Sequence, residues 1–170
     1  MASEPNLFLV DDTFADELKE AMERAGRLLS VRARTVDEIR DRLRQAGFDG
    51  AVVEQTTTRL SELGLLNDLE FAHEWVRQRA LSKNLGPRAL KAELSAKGVP
   101  REVAEDALAR ACLDEEALAR EAASRWVRKV AARPLPEQAF KLQQMLLRKG
   151  FSLEAAEAGT KAVLPPEGWD

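Results

Sequence analysis

The stretch that decides the architecture is LKAELSAKGV, Leu90 to Val99. Leu90 and Leu94 are one helical turn apart, and a glycine follows the last turn. Helices commonly end on a residue in the left-handed conformation, which glycine adopts without a Cβ clash. The stretch therefore predicts a helix that stops at Gly98. The same sentence is written twice more, as IRDRLRQAGF (Ile39–Phe48) and LQQMLLRKGF (Leu142–Phe151). Ile39-Leu43-Gly47-Phe48 aligns with Leu90-Leu94-Gly98-Val99 at a shift of 51 residues, and the latter with Leu142-Leu146-Gly150-Phe151 at a shift of 52. After each glycine a second helix is expected, carrying Val52/Val53, Val103/Ala104 and Ala155/Ala156. A longer helix is expected before each pair. Trp75-Val76-Arg77 and Trp126-Val127-Arg128 align at the shift of 51 as well.

The chain thus reads as all-α, three tandem three-helix repeats forming an elongated, curved array, with nine helices and no sheet. One such unit is too small to bury its apolar stripe alone, so stacked neighbours complete the core. The expected boundaries are an acidic lead with the start of the first helix at 1–24, repeats at 25–66, 67–113 and 114–164, and a tail at 165–170.

Composition is compatible with this reading. The 170 residues are 45% hydrophobic, enough for a real core. No apolar run approaches the roughly 18–20 residues of a membrane span, and MASEPNLFLVDDTFADEL lacks the basic start and long apolar core of a secretory signal. The single cysteine, Cys112, builds neither an intrachain disulfide nor a CxxC metal pair, and is expected as a small, partly buried helix residue. A cytoplasmic location is expected. The net charge of −3 conceals strong segregation: residues 1–23 hold seven acids and one base, 72–101 seven bases and two acids, 102–118 six acids and one base, and 119–149 eight bases and two acids. Screening confines exposed charge to short range, so an acidic protein can carry basic faces.

Much of GLLNDLEFAHEW, Gly64–Trp75, is helix punctuation. Asn67 is expected as an N-cap, Glu70 as the returning half of a capping box, and Leu66 with Phe71 as a hydrophobic staple. Thr35-Val36-Asp37-Glu38 reads as a second box. Gly86-Pro87 opens another helix, with proline at its first position. Asp49 and Ser152 read as caps, and Pro100, in the corresponding place, as the first residue of its helix. His73-Glu74 starts like a zinc-binding HExxH, but position 77 is Arg77, and one histidine is no ligand set. There is no phosphate loop, nucleophile elbow or calcium loop. No catalytic residue, metal or cofactor is therefore expected.

Trp75 and Trp126 are expected in the core. Arg79, on the face of Phe71 and Trp75, is expected to lay its stem on that core and expose its head. Arg77 should point to solvent, as should its repeat mate Arg128. Glu93 and Lys97 have the spacing of an intrahelical ion pair. Arg125, Arg128 and Lys129 are expected on one basic helix face. The candidate binding residues are Arg77, Lys83, Arg88, Lys91 and Lys97 in the second unit, and Arg125, Arg128, Lys129, Lys141, Arg148 and Lys149 in the third.

Leu28-Leu29-Ser30-Val31-Arg32, Thr35-Val36-Asp37-Glu38-Ile39, Gly64-Leu65-Leu66-Asn67-Asp68, Phe71-Ala72, Val76, Arg79, Gly86-Pro87 and Glu93-Leu94 with Lys97-Gly98-Val99 together resemble the RecX family of bacterial RecA regulators. The resemblance covers roughly residues 25–165 and is densest from 64 to 99. Leu28 and Asn67 stand where the family often has Tyr and Asp. The resemblance implies three tandem three-helix repeats and a non-enzymatic protein. It implies that the chain binds the RecA–single-stranded DNA filament in its groove and modulates, most often inhibits, recombinase, ATPase and coprotease activities. The competing reading is a helical nucleic-acid-binding module without filament specificity, using the same basic residues.

Overall fold

The computed structural model describes residues 7–165, with side chains from Asp12 onward. The first six residues of the acidic lead and residues 166–170 of the tail lie outside that description. Among the described residues the fold is all-helical. The elements are α1 (Leu7–Val31), α2 (Val36–Gln45), α3 (Gly50–Glu62), α4 (Asp68–Lys83), α5 (Pro87–Ala96), α6 (Arg101–Ala111), α7 (Glu115–Trp126), α8 (Leu135–Arg148) and α9 (Leu153–Lys161), with one 3-10 turn at Val127–Lys129. No helix among them is long and apolar enough to cross a membrane.

The helices end where the glycines stand. Gly47, Gly98 and Gly150 have φ of 92°, 74° and 86°. At the first and third, the following amide closes the turn on the leucine one helical turn back, Phe48 N–H on Leu43 and Phe151 N–H on Leu146, both at 3.3 Å. Starts are equally explicit. Asp49 accepts from Ala51 N–H at 2.8 Å and Ser152 from Ala155 N–H at 3.1 Å. Pro100 is not the first helical residue but the cap itself, and it makes no side-chain bond. A proline ring has nothing to offer the free amides of the first turn.

The chain divides into two compact units, one running to Phe71 and including Lys97–Val99, the other comprising Ala72–Ala96 and the residues from Pro100 onward. In the first, α1 packs on α2 and α3. Its core is Ala21, Ala25, Ile39, Leu43, Val52, Val53, Leu60 and Leu66. In the second, α5 packs on α6, and α7, α8 and α9 pack on one another. Its core is alanine-rich: Ala119, Ala122, Ala123, Ala155 and Ala156 surround Trp126, Leu142, Leu146 and Phe151. Small side chains bring α7 and α9 close. A Cβ on Gly159 would lie 2.9 Å from the Ala119 carbonyl.

Each unit also holds a joint in which the start of one repeat's middle helix meets the glycine turn of the next. In the first, Thr35 is fully buried, accepts from Glu38 N–H at 3.1 Å and donates its hydroxyl to the Lys97 carbonyl at 2.6 Å. In the second, Gly86 N–H and Arg88 N–H donate to the Lys149 and Gly150 carbonyls at 2.8 and 3.2 Å. Free amides at a helix start and free carbonyls at a helix end are thus satisfied by each other. Gly86 is the 51-residue mate of Thr35, and the missing side chain lets the backbones touch: its Cβ would lie 2.5 Å from the Gly150 carbonyl carbon.

Two expectations are corrected here. Cys112 is exposed, not partly buried within a helix: it is the left-handed C-cap of α6, with φ 44° and ψ 45°. The basic residues Arg125, Arg128 and Lys129 do not share one α-helical face, because α7 ends at Trp126 and the next three residues tighten into a 3-10 turn.

Candidate functional site

The residues singled out by sequence fall into three settings. At the start of α4, Asn67 accepts from the amides of Leu69 and Glu70, both at 3.1 Å. Leu66 and Phe71 are buried, as a staple requires. The reciprocal half of the box is absent: Glu70 is exposed and makes no bond back among the described residues. The box at Thr35 is likewise one-sided, since Glu38 is drawn elsewhere. Its carboxylate takes two bonds from Arg32, at 3.0 and 3.2 Å, and one from Lys97 at 2.9 Å. Burial pushes the Glu38 carboxyl up, but these cations outweigh it and hold the group below the usual carboxylate range. Lys97 also lies 5.7 Å from the Phe71 ring centroid. Asp68 accepts from Val36 N–H at 2.9 Å, and burial pushes its carboxyl up despite that bond.

The second setting surrounds Trp75, which is half-buried and polar rather than core. Its indole N–H donates to Glu93 Oε2 at 2.9 Å. Arg79 holds the same carboxylate in a fork, at 2.9 and 2.6 Å, and stacks 5.0 Å from the indole centroid. The head of Arg79 is therefore pinned, not left in solvent, and the Glu93 bond pushes its pKa further up. Helical spacing placed Trp75 and Arg79 on one face; the carboxylate that changes their meaning comes from the next helix.

The third setting is a groove of about 490 Å³ lined by Ser82, Lys83, Asn84, Leu85, Trp126, Lys129, Met145, Arg148 and Lys149. It gathers four of the expected cations and contains no carboxylate. Among the described residues, none of these four side chains has an ion-pair or hydrogen-bond partner. Lys149 lies 5.9 Å from the Trp126 ring centroid. Sequence reasoning named the four cations but not their convergence, which depends on the turn after α4 and the end of α8 lying side by side. Asn84 makes that turn in the left-handed conformation, φ 49°. Asparagine tolerates it better than most residues.

The remaining candidates lie elsewhere. Arg77 is 76% exposed and bonded to Glu74 at 2.6 Å. Lys91 shares Glu105 with Arg101, and Arg125 pairs with Glu121. Arg88, Arg128 and Lys141 are exposed, and their side chains have no ion-pair or hydrogen-bond partner among the described residues. A second, mostly apolar hollow of about 310 Å³ runs along α4 and α6, its lining including His73, Arg77, Leu81, Ala107, Arg110 and Leu113. His73 Nε2 is 4.0 Å from Asp106. Among the described residues, no group of His, Cys, Asp and Glu is placed to hold a metal ion.

Comparison with known proteins fits these features. Residues 21–60 match the family model for the first three-helix domain of RecX, and residues 67–108 the model for its second. The regulatory protein RecX of Mycobacterium sp. (strain KMS) is 41% identical over 138 residues, covering 76% of this chain and 74% of that protein. The protein of the same description from Mycobacterium sp. (strain JLS) is 49% identical over a shorter stretch, 83 residues and 45% of its length. That of Geobacillus thermodenitrificans is 34% identical over 150 residues, 55% of its length. The chain thus spans from under half to about three quarters of these relatives. Two crystal structures are similar. RecX from Lactobacillus salivarius gives a TM-score of 0.77 at 28% identity, over 84% of this chain and 94% of that one. A regulatory protein RecX gives 0.84 at 26%, over 92% and 79%.

Proposed function

This chain belongs to the RecX family of regulatory proteins, and on that footing we propose that it binds the RecA–single-stranded DNA filament and inhibits its recombinase, ATPase and coprotease activities. It works by binding in the cytoplasm, with no chemistry or cofactor of its own. The observation that carries this reading is the tandem repetition. A unit repeated along the chain offers similar surfaces more than once, which suits a periodic partner and multiplies weak contacts through effective concentration. The functional modules on this reading are repeats 25–66, 67–113 and 114–164. The contacts are made first by the cations whose side chains have no ion-pair or hydrogen-bond partner among the described residues: Lys83, Arg88, Arg128, Lys129, Lys141, Arg148 and Lys149. Arg77, Lys91, Lys97 and Arg125 must exchange an existing ion pair, so each contributes less.

The test is RecA-dependent ATP hydrolysis on single-stranded DNA, titrated with the protein. Hydrolysis should fall to a plateau as the filament is occupied, and a flat titration overturns the proposal. The groove of four cations, none ion-paired among the described residues, favours a second reading, a nucleic-acid-binding module without filament specificity. Equal affinity for bare and RecA-coated strands would select it.

A further inference from the structure

The repeats are not equivalent at their tryptophans, and the difference points to a ligand. In the second repeat the indole N–H of Trp75 and the fork of Arg79 converge on one carboxylate, Glu93. The oxyanion site of that repeat is filled from within. At a shift of 51 Trp75 corresponds to Trp126 and Arg79 to Val130; at the shift of 52 that aligns Gly98 with Gly150, Glu93 corresponds to Met145 and Lys97 to Lys149. The third repeat has thus kept the tryptophan and replaced the carboxylate by a thioether. Among the described residues, the Trp126 indole N–H has no acceptor, and it is not one of the buried unsatisfied atoms. The groove beside it holds Lys83, Lys129, Arg148 and Lys149 and no acid. Four cations brought together without a counter-charge repel one another, and an arriving anion relieves that repulsion.

We propose that this groove, formed by the third repeat together with the turn after α4, is a binding site for the phosphodiester backbone of DNA, and that Glu93 keeps the corresponding place in the second repeat closed to it. One carboxylate suffices for the single Trp–Arg pair of the second repeat. Four converging cations suit a strand with a charge at every nucleotide. Trp126 is too buried, at 9% exposure, to serve as a base-stacking platform, so the site reads charge and not sequence. The inference rests on the filament reading for its setting, since it assigns the DNA contacts of that complex to this groove.

The decisive variant is Met145→Glu, which writes the second repeat's carboxylate into the third. Met145→Gln is its neutral control. Binding is measured by fluorescence anisotropy with labelled oligothymidylate, a labelled mixed-sequence duplex and labelled poly-glutamate, without RecA. The unaltered protein should bind the oligonucleotides with a log–log salt slope of about −0.7 per single-strand phosphate neutralised, so about −3 if all four cations engage. Met145→Glu should weaken this roughly tenfold or more, the scale of one charge-assisted bond, while Met145→Gln stays near the original. Undiminished DNA binding by folded Met145→Glu overturns the proposal. So does binding of poly-glutamate in preference to DNA, which would make the groove a site for acidic protein. If Met145→Glu does not fold, Lys129→Glu with Arg148→Glu, both exposed, takes its place with the same two outcomes. RecA-driven hydrolysis is read in parallel. Inhibition by a protein that binds no bare DNA sinks the groove site alone, whereas absence of both sinks the filament reading too.

Discussion

Asn67 accepts from two amides at once, at the point where the free N–H groups of α4 need acceptors. Asn67→Ala should cost about 0.5–2 kcal/mol and lower the melting temperature accordingly. An unchanged melt would strip the residue of its role as cap. Glu38 makes a different prediction, in pH. Its carboxyl is held below its ordinary value of 4.5 in the folded chain, so the folded state binds fewer protons there than the unfolded one. Its stabilising share is complete above that ordinary value and is lost as pH falls through the lower, folded one. Asp68, pushed up by burial, has the opposite sign and favours the folded state slightly as pH falls. Thermal melts of Glu38→Gln taken from neutral pH into acid should therefore show a shallower loss than the parent chain; parallel curves would mean that Arg32 and Lys97 do not act through the Glu38 charge.

Two helical glycines offer a matched pair of experiments. Gly26 lies in α1 with nothing within 4 Å of where its Cβ would stand, while Gly159 in α9 faces the Ala119 carbonyl at 2.9 Å. Gly26→Ala should gain about 0.5–1 kcal/mol from helix propensity. Gly159→Val should lose about 1–3 kcal/mol by forcing α7 and α9 apart. Chemical denaturation reads both, and a tolerated valine would mean the helices separate at little cost. Helix ends were legible in the sequence because they are local: Gly47, Gly98 and Gly150 carry their reason with them, as do Asp49, Asn67 and Ser152. What could not be read is what reaches in from another element. Trp75 and Trp126 occupy the same register in similar words, yet one donates to Glu93 and the other lines a groove with Met145. The closeness of α7 and α9 lies in alanines that look unremarkable one at a time. The 3-10 turn at Val127–Lys129 has no breaker residue to announce it, and with it the expected single basic face of the third repeat disappears.

For the protein as a whole, the proposed function predicts that single changes on the basic surface are mild and paired changes severe, because each repeat would share the contacts. Arg77→Glu and Arg128→Glu alter exposed side chains, which contribute little to folding. Together they should weaken inhibition of RecA-driven hydrolysis more than the product of the single effects, with the circular-dichroism melt in place. Full inhibition by the folded double mutant would move the working surface away from both. The joint between Gly86 and Gly150 has a further consequence, for how such a sequence can drift. Its hydrogen bonds run between main-chain groups that every residue except proline supplies, so mutation has little hold on them. Its two glycines have no such freedom: one methyl at position 150 would stand 2.3 Å from the Ala89 nitrogen. In a library of random variants selected only for folding, positions 86 and 150 should stay glycine while the solvent faces of α5 and α8 wander. Lineages could then diverge in nearly every exposed letter and still inherit the same repeat.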